Sequence, residues 1–429
     1  MRVLVVGGGG REHGLALALS RDREVKALFA APGNPGIAQV AKCAPISPTS
    51  IGELVSFARK EKIDLTVVGP EAPLAVGIVD TFRENGLRIF GPSKSAARIE
   101  TSKSFTKDLC SQYHIPSPRW DAFTNPVEAE KALDYFGPPW VVKADGLAAG
   151  KGTTVTSDRV EAKKAIELEL AREPGRVLLE EYIEGWEATF MATVSAGKVQ
   201  WVTPVFQDYK PAYDGDAGPN TGGMGCFTPV PTVTSSIMEK VERRILGPII
   251  DAMEESQVHY QGVLNLNAIV RTGTDDPYVL EFNARFGDPE GQGTTTLVEN
   301  GLAKHLYEIA EDSESARAPR VRDSACVLVV LASKGYPMSQ SLGDKITIRP
   351  TPKQNITVLH AGTANSPTRE LVTSGGRVLN VVATGPNVES AKRDAYSVIG
   401  PVVQFPGMQY RSDIGALNPR QRKLQAAHT

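Results

Sequence analysis

Residues 278–290 read Y-V-L-E-F-N-A-R-F-G-D-P-E, and the rest of the chain is best understood outward from them. Residues 279–282 have the composition of a short buried strand. Glu281 and Asn283 stand two apart, so on an extended backbone both side chains face the same way. A carboxylate beside an amide oxygen, with Arg285 two residues further on, is an unusual end for an apolar strand. A hard cation that bridges phosphates takes oxygen ligands of this kind, and an arginine nearby suits developing negative charge. An edge strand leaving through the polar turn Gly287-Asp288-Pro289 accounts for the same residues, so the choice falls to the rest of the chain.

The 429 residues are enough for roughly two to four domains with sizeable cores. A formal net charge of -2, from 47 basic and 49 acidic side chains, offers neither a nucleic-acid surface nor a basic membrane face. The 40 glycines point to ligand loops and tight turns. Cys43, Cys110, Cys226 and Cys326 lie far apart with no C-x-x-C, which favours reduced thiols and a cytoplasmic protein. Met1 runs straight into R-V-L-V-V, and no apolar run of about 18 residues occurs, so neither a targeting peptide nor a membrane span is expected. The six histidines show no metal-ligand spacing, which argues against zinc.

Residues 2–6 form a strand, Gly7 to Gly10 a glycine loop, and residues 11–20 a helix, the arrangement of a phosphate or nucleotide cradle. Glu12 and His13 occupy the third-glycine positions of G-x-G-x-x-G, so a dinucleotide is not implied; a tight turn without ligand is the alternative. Strands at 26–30, 65–68 and 87–90 alternate with helices at 51–59 and 75–84. This predicts an open parallel α/β sheet with its unusual loops, A-P-G-N-P-G after residue 30 and G-P-E-A-P after residue 68, at the strand C-termini.

A helix begins at Lys103, and the prolines of Y-H-I-P-S-P hold residues 113–118 extended. Residues 139–143 and 153–156 are strands flanking A-D-G-L-A-A-G-K-G. Backbone N–H groups and Lys151 of that loop are suited to close over phosphates. It misses the P-loop pattern because Gly152 follows the lysine and no helix comes next; a plain hairpin is the alternative. The strand at 177–182 carries Glu180 and Glu181, suited to an adenine edge and ribose hydroxyls; a solvated edge is the alternative. The glycine- and aspartate-rich run 214–225 fails the EF-hand count and reads as a substrate loop. Helices are expected at 239–256 and 294–308, and a core strand at 262–270 places Asn265 and Asn267 on one face. A mixed α+β region begins near residue 324, with a polar tail from 414.

Taken together, these segments carry a family resemblance. G-G-G-G-R-E-H at 7–13, V-G-P-E-A-P-L at 68–74, K-A-D-G-L-A-A-G-K-G at 143–152 and G-P-N-T-G-G-M-G at 218–225 resemble glycinamide ribonucleotide synthetases of the ATP-grasp superfamily. F-N-A-R-F-G-D-P-E at 282–290, H-A-G-T at 360–363 and Y-R-S-D-I-G at 410–415 continue the match in family order over nearly the whole chain. The resemblance implies a multidomain α/β and α+β protein: an N-terminal open parallel α/β domain (1–102), a small ATP lid (120–190), a central ATP-grasp domain (103–119 and 191–323) and a C-terminal mixed α+β domain (324–429). It implies ligation of glycine to 5-phosphoribosylamine through glycyl phosphate, with ATP and Mg²⁺, or Mn²⁺ in its place, by a cytoplasmic monomer or weak homodimer with small-molecule partners.

By position, the resemblance makes Lys103 and Lys143 phosphate ligands, Lys151 and Gly152 part of the lid, and Glu180 and Glu187 adenosine-side ligands. Glu281 and Asn283 become the metal ligands, and Arg285 the group that stabilises the transferring phosphoryl. Asp208, Lys210, Gly222, Gly223 and Asp288 face glycine and the amine, while Gly8, Gly10, Glu12 and Asn34 face phosphoribosylamine. The chain departs from the family pattern at Tyr209, Pro211, Trp186, Asn265, Asn267, Cys226 and Phe227, which are expected on the substrate side. Those departures leave open a sister ligase joining glycine, or a similar small amino acid, to a different amine; a non-catalytic nucleotide-binding module is the remaining alternative.

Overall fold

The structure is a computed structural model that describes residues 1–147, 152–351 and 353–416. The first sheet is all parallel: the strand Arg2–Gly7 lies at its centre, between Ala27–Pro32 and Leu65–Val68, with Lys42–Cys43 and Ile89–Phe90 at the edges. The central strand is buried from Val3 to Val6, as a sheet covered on both faces requires. Its carboxyl end opens into the glycine loop, and that of Leu65–Val68 leads to Glu71, which faces the site described below.

Four antiparallel strands, Trp120–Phe123, Val177–Glu180, Trp140–Ala144 and Thr153–Thr156, make a small second sheet. The helices Pro126–Phe136 and Arg159–Leu170 cover it and close a separate core around Leu133, Trp140, Ile166 and Leu179. The residues expected to carry the phosphate-closing loop, 148–151 with Lys151, lie outside the described residues.

The third sheet runs Lys198–Val202, Gly185–Ser195, Gly262–Arg271, Pro277–Asn283. Its last two strands pair antiparallel with Asn265 opposite Asn283 and Asn267 opposite Glu281, so four oxygen-bearing side chains share one patch of the sheet. A bulge between Asn267 and Ala268 restores this register after the apolar half of the strand. In the last large sheet the strands Ala325–Ala332, Arg377–Gly385 and Ile356–His360 are joined by Gln207–Asp208 and Gly225–Thr228, two short strands that flank residues 209–224.

Two expected helices differ. Residues 75–84 break at Gly77, at φ +88°, between Glu71–Ala75 and Ile78–Glu84. Residues 294–308 are not continuous: Glu290–Leu297 ends, Val298–Asn300 pairs with Arg320–Val321, and Leu302–Ala310 starts again behind Gly301. Gly301 sits at φ +82°, a left-handed conformation that interrupts the helix. Among the described residues no helix is long and apolar enough to cross a membrane.

Candidate active site

The small sheet, the central sheet and the ends of the first and last sheets enclose a cleft of ≈ 350 Å³. Its cationic wall is built from the helix Lys103–Gln112. Lys103 and Lys107 are one turn apart on that helix, and Lys143 reaches in from the strand Trp140–Ala144. Glu180 lies between Lys107 at 3.1 Å and Lys143 at 2.8 Å, all three side chains buried. Burial opposes ionisation of Glu180, but the two lysines outweigh it and hold its pKa below the usual carboxylate range. Lys143 also donates to the Leu280 carbonyl at 3.2 Å, joining the small sheet to the strand that carries Glu281. One oxygen of Glu180 has no protein partner. Asp145 accepts from the Ser104 hydroxyl at 2.6 Å and so ties the end of the strand Trp140–Ala144 to the same helix.

Glu281 and Asn283 both line the cleft, from alternate positions of one strand. Burial works against the Glu281 charge, yet Lys210, Lys103 and Lys143 overcome it and bring the group to about 2. Asn267 donates to Glu281 at 2.9 Å, and Arg285 donates to the Asn283 oxygen at 3.2 Å. Among the described residues no group of three or more His, Cys, Asp or Glu side chains is gathered as a metal cage. Two adjacent oxygen donors suit magnesium, which usually takes one or two protein carboxylates and completes its shell with phosphates and water.

Arg285 is held at 3.0 Å from Glu100 and 3.4 Å from Glu71, so its guanidinium is oriented before any ligand enters. Lys210 stands 3.3 Å from Glu187 and 3.7 Å from Glu281; the carboxylates keep it protonated despite burial. Asp208 is pushed well above the ordinary carboxyl range, first by burial and then by the neighbouring Glu290. One Asp208 oxygen and the Asn265 amide oxygen have no protein partner. Gly222 and Asp288 meet at Arg377, which donates to the Gly222 carbonyl and lies 2.9 Å from an Asp288 oxygen. Gly223, at φ +104°, lies beside Asp208, where an added Cβ would come within 2.8 Å of the carboxylate.

Thus Lys103, Lys143, Gly152, Glu180, Glu187, Asp208, Lys210, Gly222, Glu281, Asn283, Arg285 and Asp288 share one cleft. Gly8, Gly10, Glu12 and Asn34 do not line it. Glu12 turns back on its own loop, accepting from the Gly9 N–H at 2.6 Å and from Arg11 at 2.7 Å. Asn34 donates to the carbonyls of Gly8 and His360 and accepts from the N–H groups of Gly36 and Ile37. Gly10 is pressed against Asn380, 2.3 Å from where its Cβ would stand. Asn34 thus ties the glycine loop to the last sheet through His360, and Gly10 packs against that sheet at Asn380.

Of the departures from the family pattern, only Asn265 and Asn267 line the cleft. Trp186 is buried in the core beneath the central sheet, Tyr209 and Phe227 in that of the last sheet, and Cys226 is buried in the strand Gly225–Thr228. Sequence reasoning missed Lys107, Glu71, Glu100, Glu290 and Arg377. The one-turn spacing from Lys103 was a usable signal for Lys107, and V-G-P-E for Glu71. Arg377 follows an ordinary hairpin turn and reaches the cleft only through the pairing of distant strands.

Residues 1–100, 101–291 and 326–417 match, in order, the N, ATP-grasp (A) and C domain models of phosphoribosylglycinamide synthetase. The chain is 42% identical over 421 residues to a phosphoribosylamine–glycine ligase of Caldanaerobacter subterraneus, covering 97% of this chain and 100% of that protein. It resembles the crystal structure of the Thermotoga maritima phosphoribosylamine–glycine ligase with a TM-score of 0.83 at 33% identity, over 96% of this chain and 100% of the other. A biotin carboxylase of Campylobacter jejuni shares the fold at 15% identity, with a TM-score of 0.71 over 99% of this chain and 94% of that one. The chain belongs to the phosphoribosylglycinamide synthetase family.

Proposed function

We propose that this chain joins glycine to 5-phosphoribosylamine at the expense of ATP, forming glycinamide ribonucleotide, ADP and phosphate. The observation that carries the chemistry is the convergence, in one cleft, of Lys103, Lys107 and Lys143 with the Glu281–Asn283 oxygen pair and Arg285. Glycine's carboxylate is a poor acyl donor until an oxygen of it takes the γ-phosphoryl group of ATP. The amine then attacks the carbonyl carbon, and phosphate leaves carrying that oxygen.

The protein's part is positioning and charge. Lys103 and Lys143 supply positive charge for the ATP phosphates, with Lys107 behind them. Glu281 and Asn283 would hold Mg²⁺, or Mn²⁺ in its place. Such an ion neutralises phosphate oxygens when bound. Arg285, clamped between Glu71 and Glu100, presents its guanidinium to the transferring phosphoryl group. Glu187 serves the ribose hydroxyls, and Gly152 belongs to the small sheet that shields the acyl phosphate from water. Asp208, Gly222 and Asp288 stand on the glycine and amine side, where the unpaired oxygens of Asp208 and Asn265 are acceptors for an incoming N–H.

The test is ADP release with glycine and freshly generated phosphoribosylamine, with the product identified by mass. ADP release that requires both substrates, with the amide mass present, supports the proposal. Glycyl phosphate trapped by hydroxylamine without that amide would favour the sister ligase acting on another amine, for which Asn265 and Asn267 are the remaining support.

A further inference from the structure

The hairpin between Lys210 and Gly222 has little to hold it. Its strands Pro211–Tyr213 and Ala217–Asn220 are short and their register shifts between Pro211 and Tyr213. The turn Asp214–Asp216 buries no residue. An isolated two-stranded ribbon of this size is marginal in water. Yet its two ends place Asp208, Lys210 and Gly222 in the cleft.

The Y-R-S-D-I-G segment meets the tip of that hairpin. Arg411, 1% exposed, lies 2.9 Å from Asp216 and donates to the Pro211 carbonyl at 3.1 Å. It also forms a two-pronged pair with Asp413, at 2.7 and 2.6 Å, the geometry in which arginine–carboxylate bonds are strongest and most directional. Asp413 accepts from the Gly215 N–H at 2.9 Å, and the Ser412 N–H donates to Asp214 at 2.8 Å. The guanidinium lies 4.7 Å from the centre of the Tyr209 ring, whose hydroxyl donates to the Ala416 carbonyl at 2.7 Å. Tyr396 ties the segment down by donating to the Arg411 carbonyl at 2.6 Å and accepting from the Ile414 N–H at 3.1 Å. Two of the departures, Tyr209 and Pro211, are thus parts of one contact, between the cleft residues Asp208 and Lys210 on one side and Arg411 on the other.

We propose that Arg411 is a positioning residue: with Ser412 and Asp413 it clasps the 211–220 hairpin and thereby sets where Asp208, Lys210 and Gly222 stand during the reaction. This rests on the ligase reading of the cleft. Arg411→Met in the full chain should lower kcat by about a hundredfold while leaving KM for ATP within about twofold, because the groups displaced lie on the glycine and amine side. Arg411→Lys should recover part of that loss, since one ammonium can replace a single arm of the fork but not both. If Arg411→Met does not fold, Asp216→Ala decides, because it leaves Arg411 paired with Asp413; it should lower kcat by about tenfold. In both variants the amides of residues 211–222 should exchange hydrogen faster than in wild type. Folded variants with wild-type kcat and unchanged exchange at the hairpin would overturn the clasp. Wild-type protein with no glycine-dependent turnover would overturn the ligase reading instead, since the exchange measurement tests the clasp without any reaction.

Discussion

The lysine-lined wall of the cleft and the N-terminal glycine loop both have the look of phosphate sites in sequence, but their polar atoms are disposed of differently. In the cleft, Glu180, Asp208 and Asn265 each keep an oxygen with no protein partner. In the glycine loop, both oxygens of Glu12 and both ends of the Asn34 amide are taken by the protein itself. Buried polar groups without partners are costly and persist where a ligand completes them; the junction is saturated at Glu12 and Asn34, while beside Gly10 the Asn380 amide nitrogen and the Gln292 oxygen have no protein partner. Glycines that suggest a ligand can equally mark where two sheets come together closely.

The largest effect should come at Glu281, proposed above to hold the metal ion with Asn283. Glu281→Ala is expected to cut ATP turnover by more than about a thousandfold, several kcal/mol of transition-state stabilisation, while circular dichroism and melting stay near wild type. Full activity at limiting Mg²⁺ would remove Glu281 from that role. Glu180→Gln tests the cationic wall as a structural unit. It leaves two buried lysines facing each other without their shared counter-charge, so stability to urea should fall by about 3–5 kcal/mol. A variant as stable as wild type would mean that the lysines are solvated in solution.

At the glycine-loop junction the expected effects are smaller and fall on stability. His13 and His360 lie with ring centres 5.5 Å apart, and the His360 N–H donates to His13 at 2.8 Å. Burial lowers both, and the neighbouring His360 lowers His13 further, to about 3 for His13 and about 4 for His360. The unfolded chain, near the ordinary 6.5, then binds more protons than the folded one. Their contribution is therefore complete above about pH 6.5 and declines as pH falls towards 4, by about 1.4 kcal/mol per pH unit for each histidine. His305, lowered by burial to about 4, adds to the slope from the central domain. His259, half-exposed between Glu254 and Asp312, is raised and acts weakly in the opposite sense. Urea titrations between pH 7 and 5 should show the slope, and His13→Asn, which keeps an acceptor for the His360 N–H, should reduce it by one histidine's share. An unchanged slope would show that the pair is open to solvent. Asn34→Ala should cost about 1–3 kcal/mol of stability and leave KM for phosphoribosylamine unchanged. A raised KM at unchanged stability would return this loop to the substrate side.

The strands that were legible have local signals, whereas the long central-sheet strand Gly185–Ser195 and its neighbour Lys198–Val202 were not expected. The apolar run before G-G-G-G, the flanks of A-D-G-L-A-A-G-K-G and the i, i+2 spacing of Glu281 and Asn283 all lie within a few residues. What was not legible depends on distant pairing. Nothing near Asp208 or Cys226 announces that they join the sheet of Ala325–Ala332, and nothing near Arg377 announces that it reaches Asp288. The break at Gly301 had a signal, E-N-G, overruled by a helical pattern that continues on both sides. Tyr209 and Pro211 were placed on the substrate side because they neighbour Lys210. Between the strands Gln207–Asp208 and Pro211–Tyr213, Tyr209 is buried in the core of the last sheet while its neighbour Lys210 lines the cleft.

The most direct measurement of the central claim follows one oxygen atom. Glycine labelled with ¹⁸O in its carboxylate is turned over with ATP, Mg²⁺ and phosphoribosylamine, and the inorganic phosphate is analysed by mass. Activation as glycyl phosphate predicts one ¹⁸O in each phosphate released together with the amide. Amide formation with unlabelled phosphate would contradict it.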